Sequence, residues 1–239
     1  GTLIPSHVLE TLAYEDPLTD SKASYKVYTS VLKNHQYLLC VDVARGTGRD
    51  YSAISVIDIT QKPYEQVAVF RDNEISVLEL VEKVVNIAMK YNQAYVLVES
   101  NDLGSQVLDD LNFVYDYDNI IMIDRKLGLK TTKRTKLLGC IRLKELLTSN
   151  LLLIKNYETI LELSCFVEKQ GSYAADKDSD HDDLVMTLVL FAYFEKTNDF
   201  ESIKEDVLEE QSEDYSTPPD IMSSDDEQEA LAETNWLFQ

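Results

Sequence analysis

Cysteine is scarce in this chain of 239 residues: Cys40, Cys140 and Cys165 are odd in number, far apart and each set among apolar neighbours. That excludes a disulfide framework and a zinc site, and leaves three reduced core thiols from which no chemistry is read. Long apolar runs are missing too. None reaches the ~18–20 residues of a membrane span, and the opening GTLIPSHVLETLAYED lacks a basic segment followed by an apolar one, so a cytoplasmic protein is expected. Also absent is the phosphate-cradling pattern G-x-x-x-x-G-K-[ST]. The glycines of GTGRD come without the lysine and the helix of such a loop, which excludes ATP hydrolysis by this chain alone. Internal repeats are absent.

What is there is an ordinary globular composition, 44% hydrophobic and 27% charged, sized for one main domain. Basic charge is in deficit, with a net charge of −21, and a polyanion normally repels nucleic acid. The location of that charge changes its meaning. From Asp199 to Trp236 fourteen acidic residues face one basic residue, Lys204, so this stretch holds −13 of the −21 and the rest of the chain only −8. Within the body, Arg125, Lys126, Lys130, Lys133, Arg134, Lys136, Arg142 and Lys144 follow one another with no acid between them. Such a block is either a phosphate-binding surface or an ordinary basic surface helix.

The pattern divides the chain into three. Residues 1–35 are polar and mixed, and read as a linker or the end of a preceding domain. The body, 36–197, opens with YLLCVDVA, YSAISVIDI and QVAVFRD, three strand-like runs on short connections and therefore antiparallel. SVLELVEKVVNIAMKY then repeats at helical spacing, and QAYVLVES follows as a buried strand. A helix over Gly104–Leu111, a strand NIIMID, a basic loop and a helix through TKLLGCIRLKELLTS come next. After them are a short LLLI, a helix YETILELSCF, a strand-like FVEKQGSYAA and a helix to about Phe194. Strands in a meander followed by strands alternating with helices predict an α/β mixed sheet covered by helices on both faces. Residues 198–239 read as an acidic, mostly disordered tail with one short helix near Glu201–Glu210. Its apolar end, Trp236, Leu237 and Phe238, is either a docking plug or a loose terminus.

Three acids in apolar company are the candidates for chemistry. Asp42 interrupts YLLCVDVA and Glu99 closes AYVLV, where a carboxylate is costly unless it is paired or binds a cation. The third place is DKDSDHDDLVMTLVL. Asp176, Asp178 and Asp180 have the alternate spacing of a calcium loop, but His181 stands where the sharp turn needs glycine and Thr187 where a bidentate glutamate belongs. Asp182 and Asp183 begin a helix apolar nearly all round; capping explains one of the pair and not both. Three oxygen ligands without histidine or cysteine suit Mg²⁺.

CVDVARGTGRDYSAISVID, YVLVESNDLG and SDHDDLVMTLVL, in that order across Tyr37 to Phe194, resemble the nuclease domain of large terminase subunits, the DNA-packaging motors of tailed bacteriophages, most closely the T4-like group. The resemblance implies an RNase H-like fold, its mixed sheet opening with three antiparallel strands and continuing with parallel ones. It implies metal-binding, catalytic acids at Asp42, Glu99 and Asp183, with Asp50 and Asp182 in support. The activity implied is two-metal cleavage of double-stranded concatemeric DNA by Mg²⁺ or Mn²⁺, with little sequence preference, and the basic residues Arg125, Lys126, Lys130, Lys133, Arg134 and Lys136 holding the DNA. The implied partners are the portal protein, the small terminase subunit and an ATPase domain of the full-length protein, in host cytoplasm at the capsid portal. A junction resolvase or strand transferase on the same fold, and a DNA-binding or assembly module without activity, are the alternatives.

Overall fold

The chain enters its fold at the first residues and not at Tyr37. The computed structural model describes residues 1–177 and 181–205, and Gly1–Phe200 make one unit. The stretch expected as a linker holds α1 (Ser6–Leu9) and β1 (Tyr25–Val27), and it buries Leu3, Ile4, Val8, Val27 and Tyr28. Its apolar residues are too widely spaced to show a period, so the sequence concealed them. They are placed by tertiary contacts, such as the bond from the Leu3 amide to the Phe166 carbonyl at 2.8 Å.

The three strand-like runs form β2 (Tyr37–Asp42), β3 (Ser52–Asp58) and β4 (Tyr64–Asp72), antiparallel as expected. The amphipathic segment is α2 (Val77–Lys90), started by a reciprocal Ser76–Glu79 capping box. β5 (Tyr95–Val98) pairs parallel to β2, so the sheet runs β1-β4-β3-β2-β5. α3 (Gly104–Phe113) follows at once, its start pressed on the preceding strand: a Cβ on Gly104 would fall 1.7 Å from the Glu99 carbonyl oxygen.

NIIMID departs from expectation. Only β6 (Met122–Ile123) is a strand, and it folds back on β7 (Lys126–Leu127) because Asp124 and Arg125 both adopt positive φ in the turn. The main sheet receives only single parallel bridges from this region, Val96 to Ile120 and Glu99 to Leu129. Beyond it come α4 (Lys133–Thr148), β8 (Leu152–Leu153) parallel to β4, and α5 (Tyr157–Cys165). β9 (Phe166–Lys169) and β10 (Ser172–Ala175) make a hairpin of the segment expected as one strand, and α6 (Asp183–Phe194) completes the domain.

One face of the sheet is covered by α2 and α3, whose Leu80, Val84, Val107 and Leu111 pack with Val41, Ile54 and Val98. The other carries α6, which is itself covered by α4 and α5. This layering is why α6 is apolar all round: every residue in it but Tyr193 is buried. Among the described residues no helix is long and apolar enough to cross a membrane.

The acidic tail was expected from residue 198, yet Phe200 is 1% exposed and packs edge-on to Phe194, Tyr64 and Phe191. Most of the tail, with Trp236, Leu237 and Phe238, lies outside the described residues, as do Asp178 and Asp180. Phe200→Ala is expected to cost about 3–5 kcal/mol, the usual loss for emptying a buried phenyl site. Truncation after Lys196 should lower the melting temperature likewise, as read by chemical and thermal denaturation.

Candidate metal centre

Strand register places the candidate acids on one face at one end of the sheet. Asp42 ends β2 opposite Ala53 of β3, and Ala53 stands opposite Arg71 of β4, so all three side chains project to the same side. It is the α6 side, since Ala53 packs with Leu184. On the other flank of Asp42 the Glu99 amide donates to the Val41 carbonyl at 3.0 Å, which continues the β2–β5 register and sets Glu99 beside Asp42. The two carboxyl groups meet. Asp42 is held well above the usual carboxylate range, first by burial and next by the charge of Glu99 beside it. Asn101 fixes Glu99 from behind, its Nδ2 donating to Glu99 Oε1 at 3.1 Å and to the Thr131 carbonyl at 3.0 Å.

Asp183 arrives on the first turn of α6 and adds to the charge felt by Asp42. Its carboxyl accepts a bond from the Tyr51 backbone N–H, and burial foremost raises it to about 6. Arg71 opposes that rise, while Asp182 and Asp50 add to it. Its Oδ2 is buried without a hydrogen-bond partner, and His181 Nδ1 stands 3.7 Å away.

Asp182 occupies the helix-capping position but makes no capping bond. The capping role foreseen for one of the two aspartates belongs to Glu162 of α5. Its Oε2 accepts from the backbone N–H groups of Leu184 at 2.8 Å and Val185 at 3.0 Å, and its Oε1 lies 3.3 Å from Arg71 Nη2. The Arg71 guanidinium in turn lies over the Tyr51 ring at 3.8 Å. Tyr51, Arg71 and Glu162 thus grip the start of α6, and with it Asp183. Glu162 is 5% exposed, and burial above all pushes it up to about 7.

A family of terminase RNaseH-like domains matches residues 39–192. The chain belongs to that family. Its fold is shared by the large terminase nuclease of thermophilic phage G20c with bound magnesium, at a TM-score of 0.66 and 19% identity over 81% of this chain and 96% of that one. The G20c nuclease with bound cobalt gives 0.64 and 20% over 81% and 96%. The large terminase nuclease domain of Thermus phage P74-26 gives 0.63 and 21% over 82% and 95%.

The terminase domain brings Asp42, Glu99, Asp183 and Asp182 together, with exposed Asp50 bearing on Asp183. Among the described residues no three acidic, histidine or cysteine side chains stand as a ready-made metal cage. The residues nonetheless fit a divalent cation. The donors are all carboxylate oxygens, one of them buried without a hydrogen-bond partner, and the charge of an ion would offset the repulsion that raises Asp42.

The basic block of the terminase domain divides. Arg125, Lys126, Lys130, Lys133 and Arg134 are exposed on the β6–β7 turn, β7, the following loop and the start of α4, beside the Glu99 end of the acids. Lys136 is partly buried and turns inward, 3.9 Å from Asp182 Oδ2. Arg142 belongs to the scaffold, since its Nε and Nη2 donate to the two oxygens of the nearly buried Glu195 at 2.8 and 2.9 Å. Sequence reasoning passed over Arg71, Tyr51 and Glu162. The signal for Arg71 was a charge closing an apolar strand, the same signal that marked Asp42.

Carboxyl groups raised on folding stabilise the protein at low pH. That contribution is full below their unfolded values and is lost as pH rises through the folded ones, here about 6 for Asp183 and about 7 for Glu162. In chelator, the melting temperature is therefore expected to fall between pH 5 and pH 8, and to fall less in Glu162→Gln. A wild-type profile that rises over this window would contradict the assigned burial of the acids.

Proposed function

We propose that this domain is a divalent-cation-dependent endonuclease that cuts double-stranded DNA, with little sequence preference, during phage genome packaging. The observation that carries the reading is the set of acids at the sheet end: strand register sets Glu99 beside Asp42, and Asp183 joins them with a buried Oδ2 that has no hydrogen-bond partner. Membership of the terminase family and the likeness of fold to terminase nucleases that bind magnesium and cobalt support it.

Asp42, Glu99 and Asp183 would hold the cations, and both of the other acids bear on Asp42. Two such ions, Mg²⁺ or Mn²⁺, would supply activation of water and charge stabilisation at a phosphodiester. The remaining residues prepare the site. Asn101 orients Glu99, Glu162 and the Tyr51 amide fix Asp183, and Lys136 offsets the charge of Asp182. Arg125, Lys126, Lys130, Lys133 and Arg134 are exposed to receive backbone phosphates, which carry affinity without sequence information. The substrate in this reading is concatemeric phage DNA, and the setting is the capsid portal in host cytoplasm. The portal protein, the small terminase subunit and an ATPase domain of the full-length protein are the partners.

The test is incubation of the purified domain with plasmid and Mg²⁺ or Mn²⁺, with and without chelator, and with branched DNA alongside linear duplex. Cutting of linear duplex that needs the cation is expected; binding without cutting would leave a DNA-binding module, and preference for junctions a resolvase. Asp183→Asn should abolish cleavage and weaken Mn²⁺ binding. Asp182→Asn, whose carboxylate faces Lys136, should lose only ~10–100-fold in either, as groups outside the ligand set do. Loss of Lys133 and Arg134 together should reduce the slope of log K against log salt by about 2 units, near 0.9 per phosphate contact, and equally for unrelated sequences.

A further inference from the structure

The acids that would hold cations also repel DNA, and the exposed basic residues of β7 and α4 lie only on the Glu99 flank. The opposite flank is reached by following the sheet: from Asp42 to Ala53, to Arg71, then to β1, where Lys26 stands opposite Val69 and the Arg71 amide donates to the Ser24 carbonyl at 3.0 Å. There a cavity of about 210 Å³ opens against the first turn of α6. Lys22, Lys26, Arg71, Tyr51, Glu158 and Leu184 are among the residues lining it. Three cations and one carboxylate line it; Lys26 is paired with Glu158 and Arg71 with Glu162 behind the wall, so the positive charge left over is that of Lys22.

We infer that this cavity is a second backbone-phosphate site, which receives the same DNA on the far side of the cleavage centre. The inference rests on the nuclease reading above and adds to it the direction in which the DNA lies, along the sheet end from the α4 basic residues across the acids to β1. The dimensions agree. β2 and β1 are three strand spacings apart, about 14 Å at ~4.8 Å each. One strand of a duplex carries about four phosphates over that length, at ~3.4 Å of axis apiece.

The side chains suit an anion that arrives and leaves. Lys22 is exposed, and among the described residues its ammonium makes no ion pair. Lys26 is paired with Glu158, whose carboxylate a phosphate oxygen would displace from the ammonium. The Arg71 guanidinium lies over Tyr51, 3.8 Å from the ring centre, with Nη2 paired to Glu162 and Nε buried. Backbone phosphates on both flanks would hold the strand against the repulsion of the acids between them.

The experiment measures affinity of the domain for a 30-base-pair duplex of arbitrary sequence against salt concentration, in chelator so that no cutting occurs. Lys22→Ala and Lys22→Ala/Lys26→Met are compared with wild type and with the Lys133, Arg134 double variant. The slope of log K against log salt is expected to become shallower by about 1 unit for the single and about 2 for the double variant. An unchanged slope in both, while the α4 variant is altered, would overturn this inference and leave the nuclease reading standing. Failure of the wild type to bind duplex would overturn both. Should Lys26→Met disturb folding through loss of the Glu158 pair, Lys22→Ala decides alone, because its side chain is exposed and outside the core.

Discussion

Bringing like charges together out of water is unfavourable twice over, since each carboxylate loses hydration and repels its neighbour. In this domain Asp42, Glu99 and Asp183 are gathered at one end of the sheet against both costs, and the surrounding fold is arranged to hold them there. The β2–β5 register sets the first two side by side, and Asn101 keeps Glu99 from swinging away. The close start of α3, possible because residue 104 is glycine, fixes the backbone of Glu99. Burial and the neighbouring charges together hold Asp42 well above the usual carboxylate range.

The α6 side solves a harder problem. A helix buried on every face has its first N–H groups away from water, and they need acceptors. Glu162 supplies them from another helix, and Arg71 partly neutralises Glu162. One set of contacts therefore caps α6, offsets a buried charge and fixes the approach of Asp183. The same guanidinium bears on Asp183 and lines the basic cavity beside β1, so the residue that steadies the helix carrying Asp183 also borders the inferred path of DNA.

Much of this could be read from residues alone, for reasons that differ by element. The three antiparallel strands and α2 show their periods plainly, and Asp42, Glu99 and Asp183 stand out because an acid in an apolar run has to be explained. Spacing could not say what each acid touches. Glu162 lies in YETILELSCF, where a glutamate resembles a solvated helix residue until α6 is laid across it, and Asp182 looks like a cap although it makes no capping bond. Residues 1–35 and Phe200 were missed because their few apolar side chains are buried by distant partners and not by a local pattern. Arg142 appeared to belong with the phosphate-facing cations because its partner, Glu195, lies far along the chain.

The central claim is that Asp42 is kept in unfavourable company for the sake of a cation, and neutralising it tests this most directly. Asp42→Asn leaves the shape of the side chain nearly unchanged and removes its charge. The melting temperature at pH 8 in chelator, and the cutting of plasmid in saturating Mn²⁺, should be measured on wild type and variant together. The expected result is a variant that melts higher than wild type without metal, gains little from Mn²⁺, and does not cut. A variant that melts lower in chelator yet still cuts plasmid would contradict the account.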